Sequence, residues 1–184
     1  ICAAPGGKSM LAADILNHAD IDYMLEARDI SEYKVELMQE NFNRCHLNKA
    51  KAVAWDALEP DERWLGQADV VITDIPCSGL GVIGRKRDIK YKMTPQAVQD
   101  IVELQEKILK VAASYVKKGG KLLFSTCTVN KDENEAHVKW IQDTLKMTPV
   151  SLNGALPGLV HSPTTQQGFV QLIPGMQDTD GFFI

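Results

Sequence analysis

The sequence predicts an α/β domain built on a mostly parallel sheet, and three observations carry that prediction. Apolar, strand-like runs alternate with segments of helical periodicity along most of the 184 residues. The run at 68–73 (ADVVIT) is continuously apolar, as expected of a strand covered on both faces. Three acids, Asp29, Asp56 and Asp74, close successive predicted strands. They fall on the carboxyl edge, where open α/β sheets bind ligands.

The elements follow in order. After a glycine-rich turn at 2–9, residues 10–18 have helical composition, and 22–27 make a strand ending near Asp29. Ser31 is placed to cap the next helix. Val35, Met38, Phe42 and Cys45 recur along one of its faces, so Cys45 reads as a small buried hydrophobe. Residues 50–55 form a short strand closing at Asp56. The 68–73 strand leads into turn-rich 74–79, then a polar loop at 81–92. Thr94 and Pro95 supply a cap and a first-turn proline. The helix they open buries Val98, Ile101, Val102, Ile108, Leu109, Ala112 and Val116, and Gly119-Gly120 stops it. Residues 121–125 are another strand. Asn130 and Glu133 have capping-box spacing before a helix carrying Trp140, Ile141 and Leu145. Antiparallel strands are expected near 149–152, 168–173 and 181–184.

Composition excludes several classes. The net charge is −4, with 45% hydrophobic and 24% charged residues, ordinary for a soluble globular chain. No apolar run approaches the roughly 18 residues of a membrane span, and no signal peptide is visible. The cysteines at 2, 45, 77 and 127 lack the short paired spacings of a zinc site, so no metal is expected. A disulfide scaffold does not suit this size, which points to reduced thiols and a cytoplasmic monomer. The chain starts without methionine inside a glycine-rich turn and ends on apolar 181–184. The expectation is therefore one partial domain, 1–184, with a truncated first strand.

Gly6-Gly7-Lys8-Ser9 has the look of a phosphate loop, but Cys2 stands where that motif needs its first glycine. A glycine turn of this kind still exposes helix N-terminal amides to a carboxylate. Asp29 follows by about 20 residues, the spacing at which doubly wound folds place an acid on a ribose. A ligand with a nucleoside and a carboxylate but no triphosphate fits, and S-adenosylmethionine meets that description. Cys77, after Pro76, and Cys127 both sit at the predicted ligand edge. A thiol beside a methyl donor suits cytosine C5 chemistry. C5 is a poor nucleophile until a thiolate adds to C6, and an ordinary cysteine is only a few per cent thiolate at neutral pH. A carboxyl such as Asp74 could bind the ring's amine and N3. Residue chemistry alone does not rank the two thiols.

Three ordered motifs, Cys2-Ala3-Ala4-Pro5-Gly6-Gly7-Lys8, Asp74-Ile75-Pro76-Cys77-Ser78-Gly79 and Ser125-Thr126-Cys127-Thr128, resemble those of RNA cytosine-5 methyltransferases. The nearest likeness is to the RsmB (Sun/Fmu) branch, which modifies small-subunit ribosomal RNA. Asp88-Ile89-Lys90-Tyr91, Glu133-Asn134-Glu135 and Asp180-Gly181-Phe182-Phe183-Ile184 fit that branch too. The resemblance implies a Rossmann-like class I S-adenosylmethionine-dependent methyltransferase, with a mostly parallel seven-stranded sheet and one antiparallel strand. By it, Cys2, Ala3, Ala4, Pro5, Gly6, Gly7 and Lys8 cradle the methionine part of the cofactor. Asp29 binds the ribose, Asp56 lies by the adenine, and Asp74 faces cofactor and base. Cys127 corresponds to the nucleophile and Cys77 to the cysteine that helps product release. S-adenosylhomocysteine is the product, and the target base must be unstacked to be reached.

Gly84 replaces the family's usual basic residue, and Arg87 its proline, in the loop expected to meet RNA. The family's amino-terminal RNA-binding region lies outside the sequence. Two rivals are a cytosine-5 methyltransferase of tRNA or DNA, the DNA class attacking with the cysteine after proline, and a non-catalytic RNA-binding homologue. The acidic total does not exclude RNA. Arg85, Lys86, Arg87, Lys90 and Lys92 against Asp88 make a locally cationic loop, and phosphate affinity follows local charge. Arg85, Lys86, Arg87 and Lys90 are its candidate RNA contacts.

Overall fold

In the computed structural model, which describes residues 1–155 and 163–184, the alternation of strand and helix is realised. The chain forms two units, one of Ile1–Asp74 with Ser114–Leu122 and one of Ile75–Ala113 with Leu123–Ile184.

The first unit carries α1 (Gly7–His18), β1 (Leu25–Asp29), α2 (Glu32–Arg44), β2 (Ala50–Ala54), β3 (Ala68–Asp74) and the start of β4 (Val116–Ser125). β1 and β2 pair in parallel, from Leu25 opposite Ala50 to Asp29 opposite Ala54. A parallel pair needs a crossover, and α2 supplies it. Its apolar stripe puts Met38 and Phe42, both fully buried, against Ala27 and Ala50, with Val35 and Leu47 packed around them. Cys45 departs from the expectation. The helix ends at Arg44, so Cys45 falls off the buried stripe and is exposed, its sulfur 3.9 Å from that of Met10.

β3 pairs with β4. β3 is not covered on both faces, since Val71 is buried while Val70 is 55% exposed. The reason is a cavity of about 1110 Å³ bordered by 24–28 and 68–72. At one end of it the Ile1 nitrogen donates to Ile72 O (2.8 Å), Asp74 N donates to Ile1 O (3.2 Å), and Ala3 N donates to Arg28 O (2.8 Å). Arg28, also on its border, is 6% exposed. It is held by Glu26 and Asp61 and stacked on Trp55 (5.0 Å) and Tyr115 (5.5 Å), a desolvated cation offset by carboxylates and aromatic faces. The helix expected to run to Gly119-Gly120 ends at Tyr115. Val116 opens β4, and both glycines lie within that strand's span.

The second unit carries α3 (Ile89–Lys92), α4 (Pro95–Tyr115) as far as Ala113, the end of β4, α5 (Glu135–Thr144), β5 (Gln171–Leu172) and β6 (Phe182–Phe183). β5 and β6 are antiparallel, and Thr126 bridges to Phe183 beyond β4. Phe183 is fully buried, with ring centroids 5.3 Å from Phe124 and 5.6 Å from Phe169. Ile108, Leu109 and Ala112 of α4 are buried as their spacing predicts. Residues 149–152 do not make a strand, though Leu152 N donates to Thr165 O (2.8 Å). The capping box is absent as well. Asn130 Oδ1 accepts from Asp132 N (2.9 Å), and α5 starts only at Glu135, because the Glu133 carboxylate is engaged elsewhere. Six strands occur among the described residues, against an expectation of seven with the first truncated. None of the described helices is long and apolar enough to cross a membrane.

Candidate active site

The glycine turn and the three acids belong to the first unit. The turn reverses at Gly6, whose φ is +98°, and an added Cβ would lie 3.3 Å from Met38 Cγ. Only glycine suits both the left-handed backbone and the close approach to α2. The turn delivers the chain into α1, whose first turn contains no acidic side chain and so leaves its amides to an anion. Asp29 is 6% exposed, and its carboxylate accepts from Ala4 N (3.4 Å) and Ser31 N (3.3 Å), with Lys34 Nζ at 3.6 Å. The predicted turn and the acid of β1 therefore meet. Lys8 Nζ reaches Asp74 at 2.5 Å, so two more predicted residues are joined. Asp56 lies two residues beyond β2 and accepts from Leu58 N (2.9 Å). Ala3, Ala4, Pro5, Gly7, Lys8 and Asp74 border the cavity described above, while Asp29 and Asp56 do not. Cys2 is half-buried, and burial pushes its thiol's pKa up.

The two candidate thiols belong to the second unit, and the fold brings them together. Cys77 and Cys127, fifty positions apart in sequence, have sulfurs 3.3 Å apart. The hydrogen bond to the Cys127 sulfur, then burial, raises the Cys77 pKa well above the ordinary thiol range. The two sulfurs are within hydrogen-bonding distance, and either can donate to the other. Gly81 N donates to Cys127 O (3.0 Å). A Cβ at Gly81 would lie 2.8 Å from that oxygen and nearer still to the Gly181 carbonyl, so the loop closes over Cys127 only with glycine there.

Behind the thiols lies a buried polar network that sequence reasoning missed. Glu133 is fully buried and accepts from Ser78 N (2.8 Å), Ser78 Oγ (2.5 Å) and Gln105 Nε2 (3.0 Å). Gln105 Nε2 also donates to Pro76 O (2.8 Å), and Gln105 Oε1 faces His137 Nε2 at 2.7 Å. Burial pulls the His137 pKa down to about 4, so the ring is neutral near pH 7 and its Nε2–H donates to Gln105. The available signal was Gln105 itself, a polar residue four after Ile101 and four before Leu109 on the apolar stripe of α4. Buried polar groups require partners, and these partners are the thiol loops.

The basic loop is only partly free. Arg85 pairs with Asp180 (2.9 Å), Lys92 with Asp88 (2.7 Å), and Lys90 rides over the Tyr91 ring (4.7 Å). Lys86 and Arg87 are exposed. The expected polar loop also contains structure, a short 3₁₀ turn at Leu80–Val82 and α3.

Comparison with known proteins agrees with these motifs. The chain is 38% identical over its whole length to the "Probable ribosomal RNA small subunit methyltransferase B" of Bacillus subtilis (strain 168), of which it spans 41%. Among solved structures, NSun6 from Pyrococcus horikoshii with SFG aligns over 98% of this chain and 44% of its own, at TM-score 0.73 and 25% identity. A methyltransferase homologue from the same organism aligns over 98% of this chain and 57% of its own, at TM-score 0.73 and 26% identity. These likenesses agree with a Rossmann-like class I methyltransferase fold. The family model of 16S rRNA methyltransferase RsmB/F matches residues 1–184 from end to end, and the chain belongs to that family.

Proposed function

We propose that this chain carries the methyl-transfer chemistry of an S-adenosylmethionine-dependent enzyme that methylates C5 of a cytosine in small-subunit ribosomal RNA. The observation that carries the reading is the pair of thiols 3.3 Å apart in a chain of the RsmB/F family. A relative of similar fold was solved with SFG, an analogue of S-adenosylmethionine, which supports that cofactor here. The donor set fits it. Ala3 to Lys8 offer turn and helix amides to its carboxylate, Asp29 is a nearly buried acceptor suited to a ribose hydroxyl, and Asp56 follows the next strand. When bound, the cofactor supplies an electrophilic methyl group on a sulfonium.

The protein's own steps concern the base. The Cys127 thiolate adds to C6, pushing electrons onto C5, which takes the methyl group. C5 then loses its proton to a base, and the C6–S bond breaks with its electrons returning to sulfur. Cys77, its sulfur 3.3 Å from that of Cys127, serves the release step. Asp74 binds the ring's amine and N3. Arg85, Lys86, Arg87 and Lys90 contact RNA phosphates, and the target nucleotide is flipped or single-stranded.

Trapping with 5-fluorocytosine RNA tests the assignment, because fluorine blocks loss from C5 and freezes the adduct. The native protein is expected to form a covalent band, Cys127→Ala none, and Cys77→Ala an accumulating adduct even with ordinary RNA. Trapping by Cys127→Ala would sink the reading. Methyl transfer to tRNA or DNA in place of small-subunit RNA would move the substrate to the rival classes.

A further inference from the structure

Glu133 and Asn134 adjoin neither thiol in sequence, and both are fully buried. Glu133 accepts from the backbone and hydroxyl of Ser78, the residue after Cys77. It also accepts from Gln105 Nε2, the same amide nitrogen that holds the carbonyl of Pro76, the residue before Cys77. Asn134 does the same for the other thiol. Its Oδ1 accepts from Thr126 Oγ1 (2.6 Å) and its Nδ2 donates to Thr128 O (3.0 Å), the residues on either side of Cys127. Ser78 Oγ and Thr128 Oγ1, 2.8 Å apart, tie the loops directly. Each cysteine is gripped through both neighbours, and one peptide bond joins the grips.

The residue types suit this task. A carboxylate accepts at both oxygens and donates at neither, so it aligns four converging donors, Ser78 N, Ser78 Oγ, Gln105 Nε2 and Thr128 Oγ1, without ambiguity. Burying it costs free energy that a packing role would not require, and its described partners are neutral donors. We infer that Glu133 and Asn134 are positioning residues that set the distance between the thiols, Glu133 placing Cys77 and Asn134 placing Cys127. The functional consequence rests on the reading that Cys127 attacks and Cys77 releases, whereas the geometric claim does not.

The test therefore has two arms. In protein with Cys2 and Cys45 replaced by serine, the thiol oxidant diamide takes two electrons and two protons from Cys77 and Cys127. It leaves a disulfide and reduced diamide, and mass spectrometry follows the rate. Glu133→Gln places an amide N–H₂ among donors, and Asn134→Asp turns a carboxylate on the Thr128 carbonyl. Each is expected to slow disulfide formation about tenfold or more while circular dichroism reports a folded chain, since rates of such reactions fall steeply with misplacement of the reacting atoms. In the second arm, Glu133→Gln is expected to accumulate the RNA adduct with kcat lowered on the order of a hundredfold and KM unchanged. Asn134→Asp is expected to slow adduct formation. Unchanged disulfide rates in the folded variants overturn the inference. Slowed rates together with RNA trapping by Cys127→Ala leave the positioning intact and reject the catalytic assignment. If Glu133→Gln does not fold, Ser78→Ala removes the hydroxyl's two bonds, to Glu133 and to Thr128, while leaving the Ser78 amide on the carboxylate, and an unchanged rate there also overturns the inference.

Discussion

Lowering the pH should destabilise this protein through one histidine, over a range and by an amount the structure specifies. His137 is 1% exposed on α5, with its ring against Phe124 and Trp140 and its Nε2 bound to Gln105. Burial holds its pKa at about 4, below the ordinary 6.5, with Asp132 opposing that shift less strongly. Above pH 6.5 the ring is neutral in the folded and unfolded chains, and its contribution is at full strength. As pH falls, the unfolded chain takes up a proton that the folded chain refuses, so stability is lost between about 6.5 and about 4. Below that both states are protonated and the loss stops. At about 1.4 kcal/mol per pH unit, the interval amounts to about 3 kcal/mol. Urea unfolding at steps from pH 4 to 7.5 measures it, with His137→Gln as reference because glutamine retains a donor for Gln105 and does not titrate. Subtracting the variant's profile removes the carboxylates common to both. The difference is expected to be flat above pH 6.5 and to slope below it. Parallel profiles, or an imidazole NMR titration centred near 6.5, would refute the reasoning.

Two further outcomes follow from packing and charge. Phe42→Ala removes a fully buried ring from between Met38, Ala27 and Ala50, and should cost about 3–5 kcal/mol in chemical unfolding; a loss under about 1 kcal/mol would show that the core beneath the glycine turn is not built as described. Replacing exposed Lys86 and Arg87 together by alanine should weaken RNA binding and flatten the salt dependence of log K by about one to two. An unchanged slope would remove this pair from the RNA contacts.

Much of the fold was legible because its signals are local. The stripe of Val35, Met38 and Phe42 specified α2 and its buried face. Acids after apolar runs located the ends of β1 and β3. The misreadings occur where a local signal competes with tertiary demand. Asn130 and Glu133 have capping-box spacing, yet the carboxylate turns to Ser78 and Gln105, because buried donors beside Cys77 need it more than an exposed helix start does. Gly119-Gly120 has the composition of a helix stop but lies in β4, after a helix that has already ended. Cys45 missed the core by one residue at a helix terminus.

The sequence by itself determined the order of the motifs, the residue types able to do the chemistry, and the family to which they belong. Hydrophobic period, turn composition and motif spacing are properties of neighbours along the chain, and neighbours suffice to read them. Only the tertiary structure decided that Cys77 and Cys127 touch and that Glu133, Asn134, Gln105 and His137 stand behind them. Those relations depend on distance and burial between residues up to 55 positions apart, and no pattern along the chain encodes them.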